Sequence, residues 1–337
     1  MANSGTPEEL FQVLDDTAII LQNALEMSYL EAVYETSENL FQQEVLQTEE
    51  LSEKEAAKLA ERYREIDLKE YAPEEIRKSF QLALLKGMKH GIQTNHQMTP
   101  DSIGFIIAYL VEKVMRKTQK IALLDPACGT ANLLSTIVNQ LKMDGKKDVH
   151  ATGVEVDDLL ISLALVGSDL QGLETTFLHQ DGLANLLVDP VDVVASDLPI
   201  GYYPDDARAA DFEAAHEEGH SFAHFLLIEQ GLRYTKPGGY LFFLVPERMF
   251  ETADFAKLDR VIKKYGHTLG ILKLPDTLFK TEQARKNILI LQKKGADIKA
   301  PKEVLLANIP SLTNPHELAP ILKQIDSWLE DNTHEGN

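Results

Sequence analysis

A carboxylate and a glycine stand close together where a short apolar run, residues 121–124, ends. Asp125 follows the run directly, and Gly129 lies in the turn before a second apolar stretch of helical length. This pattern predicts a buried strand, a tight turn and a helix. In open α/β sheets such a turn lies at the carboxyl end of the strand, where backbone N–H groups and a helix N-terminus face a ligand. We therefore expect Asp125 and Gly129 to contact a bound ligand.

A second carboxylate, Glu155, ends the next predicted strand. A carboxylate at this position can accept hydrogen bonds from both hydroxyls of a ribose, which indicates a nucleoside-containing cofactor. Dinucleotides call for the three-glycine motif GxGxxG, whereas the turn here contains one glycine, Gly129. A nucleoside cofactor without phosphates fits better, and S-adenosylmethionine is a cofactor of that kind.

Strands and helices alternate through the region that contains these residues, which is typical of a parallel sheet covered on both faces. The last two strands are joined by a short stretch and are expected to pair antiparallel. The predicted fold class is α/β, a Rossmann-like doubly wound seven-stranded sheet with an antiparallel last strand, preceded by a helical N-terminal domain. The predicted strands are residues 121–124, 150–156, 175–179, 191–196, 240–245, 268–274 and 287–292.

The chain before this sheet predicts helices only, beginning at the capping sequence Thr6-Pro7-Glu8-Glu9. No Lys or Arg precedes Lys54, so this region is not expected to bind phosphates. A solvated acidic cap is the favoured interpretation, and a partner-binding module is the alternative. The expected division is an acidic helical domain (1–93), an α/β domain (94–300) and a tail (301–337) that contains a short strand and a helix.

Charge and cysteine content narrow the classes of function. The 53 acidic and 33 basic residues give a net charge of -20, which opposes binding to nucleic acid unless a partner or a local basic cluster helps. The single cysteine, Cys128, excludes an internal disulfide and a multi-cysteine zinc site, and we expect it to pack as a small apolar residue. No secretory leader or membrane-spanning run is evident, so a cytoplasmic protein without membrane contact is expected.

One further motif is a formal match only. Residues 216–220, HEEGH, fit the HExxH pattern of zinc proteases, but Gly219 lies inside the would-be helix and no apolar face surrounds the pair. No metal site is predicted.

Several segments, in a fixed order, resemble the N6-adenine DNA methyltransferases, particularly the modification subunits of type I restriction systems. DPACGTANLL resembles the cofactor motif DPxCGxGxxL, with Ala131 where the family usually has glycine. The resemblance covers roughly residues 94–294 and is closest to bacterial single-domain adenine-methyltransferase-like proteins. The other similar segments are HQMTPDSIG (96–104), QDGL (180–183), DLPIGYYP (197–204), KPGGYLFFLVP (236–246) and the stretch 271–294.

The resemblance implies an S-adenosylmethionine-dependent methyltransferase acting on an amine nitrogen. The catalytic roles it implies fall on Asp197, which accepts a hydrogen bond from the amine, on Pro199, which fixes the turn, and on Tyr202. Ile200 stands where the family has an aromatic residue that stacks on a flipped adenine, so Tyr202 or Tyr203 would have to stack instead. The implied cofactor contacts are Thr99, Asp125, Ala127, Gly129, Asn132, Glu155, Val156, Asp181, Gly182 and Asp197.

The methyl acceptor and the partners stay open at this point. In the family a target-recognition domain follows the last motif or belongs to another subunit, whereas residues 295–337 are all that follow it here. DNA or RNA recognised with a partner subunit, a protein side chain and a small amine are all compatible, as is a homodimer. The alternative function is a catalytically inactive cofactor-binding protein that engages a partner through its acidic helices.

Overall fold

The structure, a computed structural model, describes residues 5–90, 98–143, 147–312 and 314–333. Its N-terminal part consists of helices, of which the first three begin with a capping box in which a Ser or Thr and a Glu satisfy each other's backbone N–H groups. These helices pack around a core of their own, which also includes Leu163 and Val166 from the α/β part. The N-terminal helices are α1 (Pro7–Leu25), α2 (Tyr29–Gln42), α3 (Glu53–Tyr63) and α4 (Pro73–His90).

The rest of the described chain largely alternates between helices and strands. Its elements are α5 (Asp101–Val114), β1 (Lys120–Asp125), α6 (Asn132–Lys142), β2 (Asp148–Glu155), α7 (Asp158–Leu170), β3 (Thr175–His179), β4 (Val191–Asp197), α8 (Asp206–Ala209), α9 (Ala223–Tyr234), β5 (Thr235–Pro246), α10 (Phe255–Tyr265), β6 (Gly266–Lys273), β7 (Lys286–Lys293), β8 (Leu305–Asn308) and α11 (Pro315–Asn332). The alternation is interrupted where β3 is followed by β4, α8 by α9, and β6 by β7 and β8.

The sheet confirms the predicted doubly wound α/β class. Among the described residues it has eight strands in the order β3-β2-β1-β4-β5-β7-β6-β8. Strands β1 to β5 are parallel, and β7 is antiparallel to both of its neighbours, β5 and β6. The strand order reverses between β1 and β4, and ligands of such sheets bind in the crevice outside the strands at this point.

The strand count is a correction to the predicted seven. The short apolar run near residue 305 forms β8, which pairs parallel with β6. Gly270 of β6 allows this approach, because a side chain there would lie 3.1 Å from the Cβ of Leu305. A strand was expected in the tail, but a run of four residues does not indicate which strand it pairs with. The free backbone groups along the edge of β6 provide that partner.

Alternate residues of the central strands pack on opposite faces of the sheet, as the two-residue period of a strand requires. Val193 and Phe242 belong to the core beneath α5, α6 and α11, and their neighbours Val194 and Phe243 belong to the core beneath α9 and α10. In the part of the chain that the structure describes, no helix has the length and apolar content needed to span a bilayer.

Candidate functional site

A cavity of about 570 Å³ lies at the carboxyl ends of the central strands, beside the reversal of strand order. Its volume is within the range of small-ligand sites. It brings together every predicted site residue except Tyr202. Those that line it are Thr99, Asp125, Ala127, Gly129, Asn132, Glu155, Val156, Asp181, Gly182, Asp197 and Pro199.

The turn after β1 presents bare backbone to this cavity. Gly129 has φ +55°, and no atom lies within 4 Å of the position that a side chain would take. Ala131, directly before α6, also has a left-handed backbone, with φ 58° and ψ 21°. Because L-residues with a side chain adopt this region at a cost, glycine is favoured there. The position that departs from the family motif is therefore a position where the backbone itself favours glycine.

Asp125 ends β1 and is almost completely buried. Its Oδ1 accepts hydrogen bonds from the Ser196 hydroxyl at 2.6 Å and from the Ala127 N–H at 3.0 Å. Burial in the sheet raises the pKa of this carboxyl to about 7, against the smaller opposing effect of the two hydrogen bonds. Asp125 therefore changes charge near neutral pH in the wall of the cavity.

Glu155 joins the turns that follow β1 and β2. Its Oε2 accepts from the Gly129 N–H at 2.9 Å, and its Oε1 accepts from the N–H groups of Val156 at 2.8 Å and Asp157 at 3.0 Å. These bonds fix the carboxylate at the cavity wall. A carboxylate has about four acceptor positions, so Glu155 can accept a further hydrogen bond from a ligand hydroxyl.

Asp181 lies in the turn after β3 and has a partner that the sequence did not indicate. Its Oδ2 accepts a hydrogen bond from the hydroxyl of Tyr203, which is buried and lines the cavity. Burial and this bond raise the pKa of the Tyr203 hydroxyl. The following residue, Gly182, has no room for a side chain, because a Cβ there would lie 2.0 Å from the carbonyl oxygen of Pro126.

Asp197 ends β4 and is held from two sides. The Thr99 hydroxyl donates to its Oδ2 at 2.7 Å, and Lys286 Nζ forms an ion pair with its Oδ1. Lys286 is the first residue of β7 and lies opposite Pro246 of β5, so antiparallel pairing brings it to the edge where β4 ends. Lys286 was not predicted as a site residue.

The aromatic residues after Asp197 divide between the cavity and its surroundings. Tyr203 lines the cavity, as does Ile200, whereas Tyr202 lies outside the lining. The Tyr202 ring stacks on Phe222 with centroids 4.9 Å apart and planes inclined by 12°, and the residue is 63% exposed. A stacking role for Tyr202 toward an acceptor stays a prediction.

A buried arginine connects the N-terminal helices to the site. Arg77 of α4 is 2% exposed and donates to Asp101 at 2.8 Å and to Asn132 at 2.7 Å, while Glu74 binds its remaining donors. Asn132 in turn donates to the carbonyl of Thr99 at 2.9 Å. A continuous series of side-chain contacts therefore runs from α4 to the residue that binds Asp197. Arg77 was not predicted as a residue of the site.

Two further features of the sequence lie at the cavity, the segment HQMTPDSIG (96–104) and Cys128. Of that segment, Met98 and Thr99 line the cavity, whereas His96 and Gln97 lie outside the described residues. Cys128 is buried, and burial raises the pKa of its thiol. In the described ranges no cluster of three or more His, Cys, Asp or Glu side chains could hold a metal ion.

Comparison with known proteins matches two family models to consecutive parts of the chain. Residues 8–88 match the YtxK N-terminal helical domain, and residues 87–326 match the N-6 DNA methylases. The uncharacterized protein YtxK of Bacillus subtilis is 43% identical over 321 residues, which cover 95% of this chain and 97% of that protein.

Solved structures are similar over the same length. A crystal structure from Listeria monocytogenes, described provisionally as a class I S-adenosylmethionine-dependent methyltransferase, is 70% identical, has a TM-score of 0.91 and covers 96% of this chain and 98% of that one. The type I restriction-modification methyltransferase subunit of Streptococcus thermophilus is 16% identical with a TM-score of 0.67, covering 97% of this chain and 76% of that one. At 16% identity, the similarity to the Streptococcus structure shows a shared fold and nothing more.

Proposed function

The chain belongs to the N-6 DNA methylase family, and from that premise we propose that it transfers a methyl group from S-adenosylmethionine to an amine nitrogen. The observation that carries this proposal is the position of Asp197, at the end of β4 in the same cavity as Glu155 and Gly129. One cavity thereby offers a carboxylate for a ribose, an open backbone turn and a carboxylate for an amine.

The cavity suits S-adenosylmethionine in charge as well as in volume. Asp125, Glu155, Asp181 and Asp197 line it among the described residues, and such a concentration of carboxylates attracts a cationic ligand. Glu155 would accept from a ribose hydroxyl and Asp181 from the adenine amino group. The open surface at Gly129 would admit the ligand close to the backbone. When bound, the cofactor supplies a methyl group that is already electrophilic.

The protein's part in the reaction is to hold the acceptor amine. Asp197 and the carbonyl of Leu198 would accept its two N–H bonds and so direct the nitrogen lone pair at the methyl carbon. The N–H of Leu198 donates to the carbonyl of Leu244 at 3.3 Å, which anchors this turn to β5. Pro199 restricts the backbone that follows. The proton lost from the amine would pass to solvent by way of the Asp197 carboxylate.

We propose adenine in DNA as the first acceptor to test, recognised together with a partner chain. The family and the Streptococcus structure, which is a methyltransferase subunit of a type I system, favour this acceptor. The net charge of -20 makes a second chain necessary for binding phosphates. In this arrangement residues 1–93 form the partner-facing domain, 94–300 the methyltransferase domain and 301–337 a tail that packs on it, and a homodimer is one form of that partnership.

A cofactor-binding protein without catalysis is the second candidate. Ile200 favours it, because an aliphatic residue stands at the cavity where the family stacks an aromatic ring on adenine. The two functions share the cofactor and differ in whether Asp197 is needed for turnover.

The Asp197→Ala variant separates the two candidates. Labelled methyl transfer to DNA, RNA and cell extract would be measured with the wild type, with Asp197→Ala and with Asp189→Ala, which removes an exposed carboxylate in the β3–β4 connection. We expect transfer with the wild type and Asp189→Ala, and a loss of about a hundredfold or more with Asp197→Ala, at nearly unchanged cofactor affinity. Undiminished transfer by Asp197→Ala would contradict the assignment, and cofactor binding without transfer to any acceptor would favour the second candidate.

A further inference from the structure

The acceptor end of the cavity already contains an amine that belongs to the chain. Lys286 Nζ is bound to Oδ1 of Asp197, the group that is proposed to accept from the acceptor amine. Both side chains are largely enclosed, with 19% and 17% of their surface exposed, and both line the cavity. The amine therefore lies within the site and not on the outer surface.

The placement of this amine depends on the sheet. Because β7 is antiparallel to β5, its first residue reaches the edge where the parallel strands end. Asp197 is the last residue of β4, which pairs with β5 through Leu244. Regular strands position a side chain more accurately than a loop does, so the contact between Lys286 and Asp197 is part of the fold.

Two contacts hold the Asp197 carboxylate, one from the Thr99 hydroxyl and one from Lys286. Asp197 already accepts a hydrogen bond from Thr99, so the lysine is not needed to orient this carboxylate. The contact from Lys286 brings a primary amine to the carboxylate that is proposed to accept from the acceptor nitrogen.

We propose that Lys286 Nζ is a methyl acceptor of this chain, so that the protein methylates itself within its own cavity. The inference rests on the proposed function. In the step, one proton leaves the ammonium for the Asp197 carboxylate and then for solvent. The nitrogen lone pair forms a bond to the methyl carbon, the bond between that carbon and sulfur breaks, and its electron pair stays on sulfur. The products are N-methyl-Lys286 and S-adenosylhomocysteine.

The Asp197 carboxylate contacts Nζ, so it is the group placed to take up the proton as the bond to the methyl carbon forms. Base and acceptor belong to one chain, so at saturating cofactor the reaction should be first-order in protein.

Mass spectrometry of the full-length chain tests the inference. The protein would be incubated with S-adenosylmethionine and its intact mass and peptide map recorded over time, with Lys280→Arg as the control, because Lys280 is an exposed lysine of the same region. We expect the mass of one methyl group to be gained at Lys286 in the wild type and in Lys280→Arg. The variant Lys286→Arg and the heat-unfolded chain should gain none, and the rate constant should not change on dilution.

Two further measurements show whether a negative result concerns self-methylation or the proposed function as a whole. Calorimetry of the same samples with S-adenosylhomocysteine reports cofactor binding, which Lys286→Arg should retain. Binding without methylation of Lys286, or methylation only at other lysines, would overturn self-methylation and leave the proposed function standing. A rate constant that falls on dilution of the protein, at a fixed and saturating concentration of S-adenosylmethionine, would also overturn the intramolecular step.

Discussion

Asp125→Asn should remove a pH dependence of stability that originates inside the cavity wall. Asp125 is buried, and burial raises the pKa of its carboxyl to about 7 in the folded chain, from an ordinary value of about 3.9 in the unfolded chain. The folded state therefore binds this proton more tightly than the unfolded state does. Ionisation of Asp125 therefore destabilises the folded state. This destabilisation is smallest below pH 4 and grows as the pH rises toward 7.

The size of this effect follows from the difference between the two pKa values. About three units correspond to about 4 kcal/mol when the penalty is fully developed, and to about 2.5 kcal/mol between pH 5 and pH 8. Asn keeps an oxygen that can accept from the Ala127 N–H, but it cannot ionise. The variant should therefore gain stability relative to the wild type as the pH is raised.

Urea unfolding at pH 5 and pH 8 measures this gain as the change in the free-energy difference between variant and wild type. Asp189→Asn is the matched control, because Asp189 is exposed and the same substitution should leave the pH profile unchanged. Parallel profiles for Asp125→Asn and the wild type would refute the argument that Asp125 is held protonated by burial.

Two further substitutions test the framework of the site by urea unfolding. Arg77→Met should lower the free energy of unfolding by about 3 kcal/mol, because Glu74 and Asp101 lose a buried cationic partner, and a change below about 1 kcal/mol would contradict this. Ala131→Gly should raise the free energy of unfolding by about 0.5 kcal/mol, because relief of a left-handed alanine exceeds the entropy cost of glycine. The same change at Ala108 inside α5 should lower it by about 1 kcal/mol, and equal effects at both positions would refute the role of backbone strain.

Local patterns were sufficient to predict most of the fold and three residues of the cavity, whereas the other predicted cofactor contacts came from the family resemblance. Asp125, Gly129 and Glu155 stand at strand ends that short apolar runs identify, and the carboxyl ends of parallel strands meet at one edge. The position of each residue therefore followed from its own strand. The strand expected in the tail was not assigned to the sheet, because a run of four residues does not indicate that β6 is its partner.

The surroundings of Asp197 were harder to predict from the sequence, because they depend on residues that are distant in the chain. Lys286 and Asp197 are separated by 89 positions, and Arg77 and Asn132 by 55. Their contacts arise from strand pairing and from the packing of α4 beside α6, neither of which has a local signature. Tyr202 and Tyr203 differ by one position in the chain, and only the three-dimensional turn shows that Tyr203 is the one that lines the cavity.

The proposed methyl transfer and the methylation of Lys286 both require that the cavity binds S-adenosylmethionine. Calorimetric titration with S-adenosylmethionine and S-adenosylhomocysteine would be carried out on the wild type, on Glu155→Ala and on Glu174→Ala, an exposed carboxylate before β3. We expect both compounds to bind the wild type and Glu174→Ala. Glu155→Ala should bind them about tenfold to a hundredfold more weakly, because it lacks the charged hydrogen-bond acceptor. Absence of binding to either compound, or equal binding by Glu155→Ala, would contradict the assignment of this cavity as a methyltransferase site.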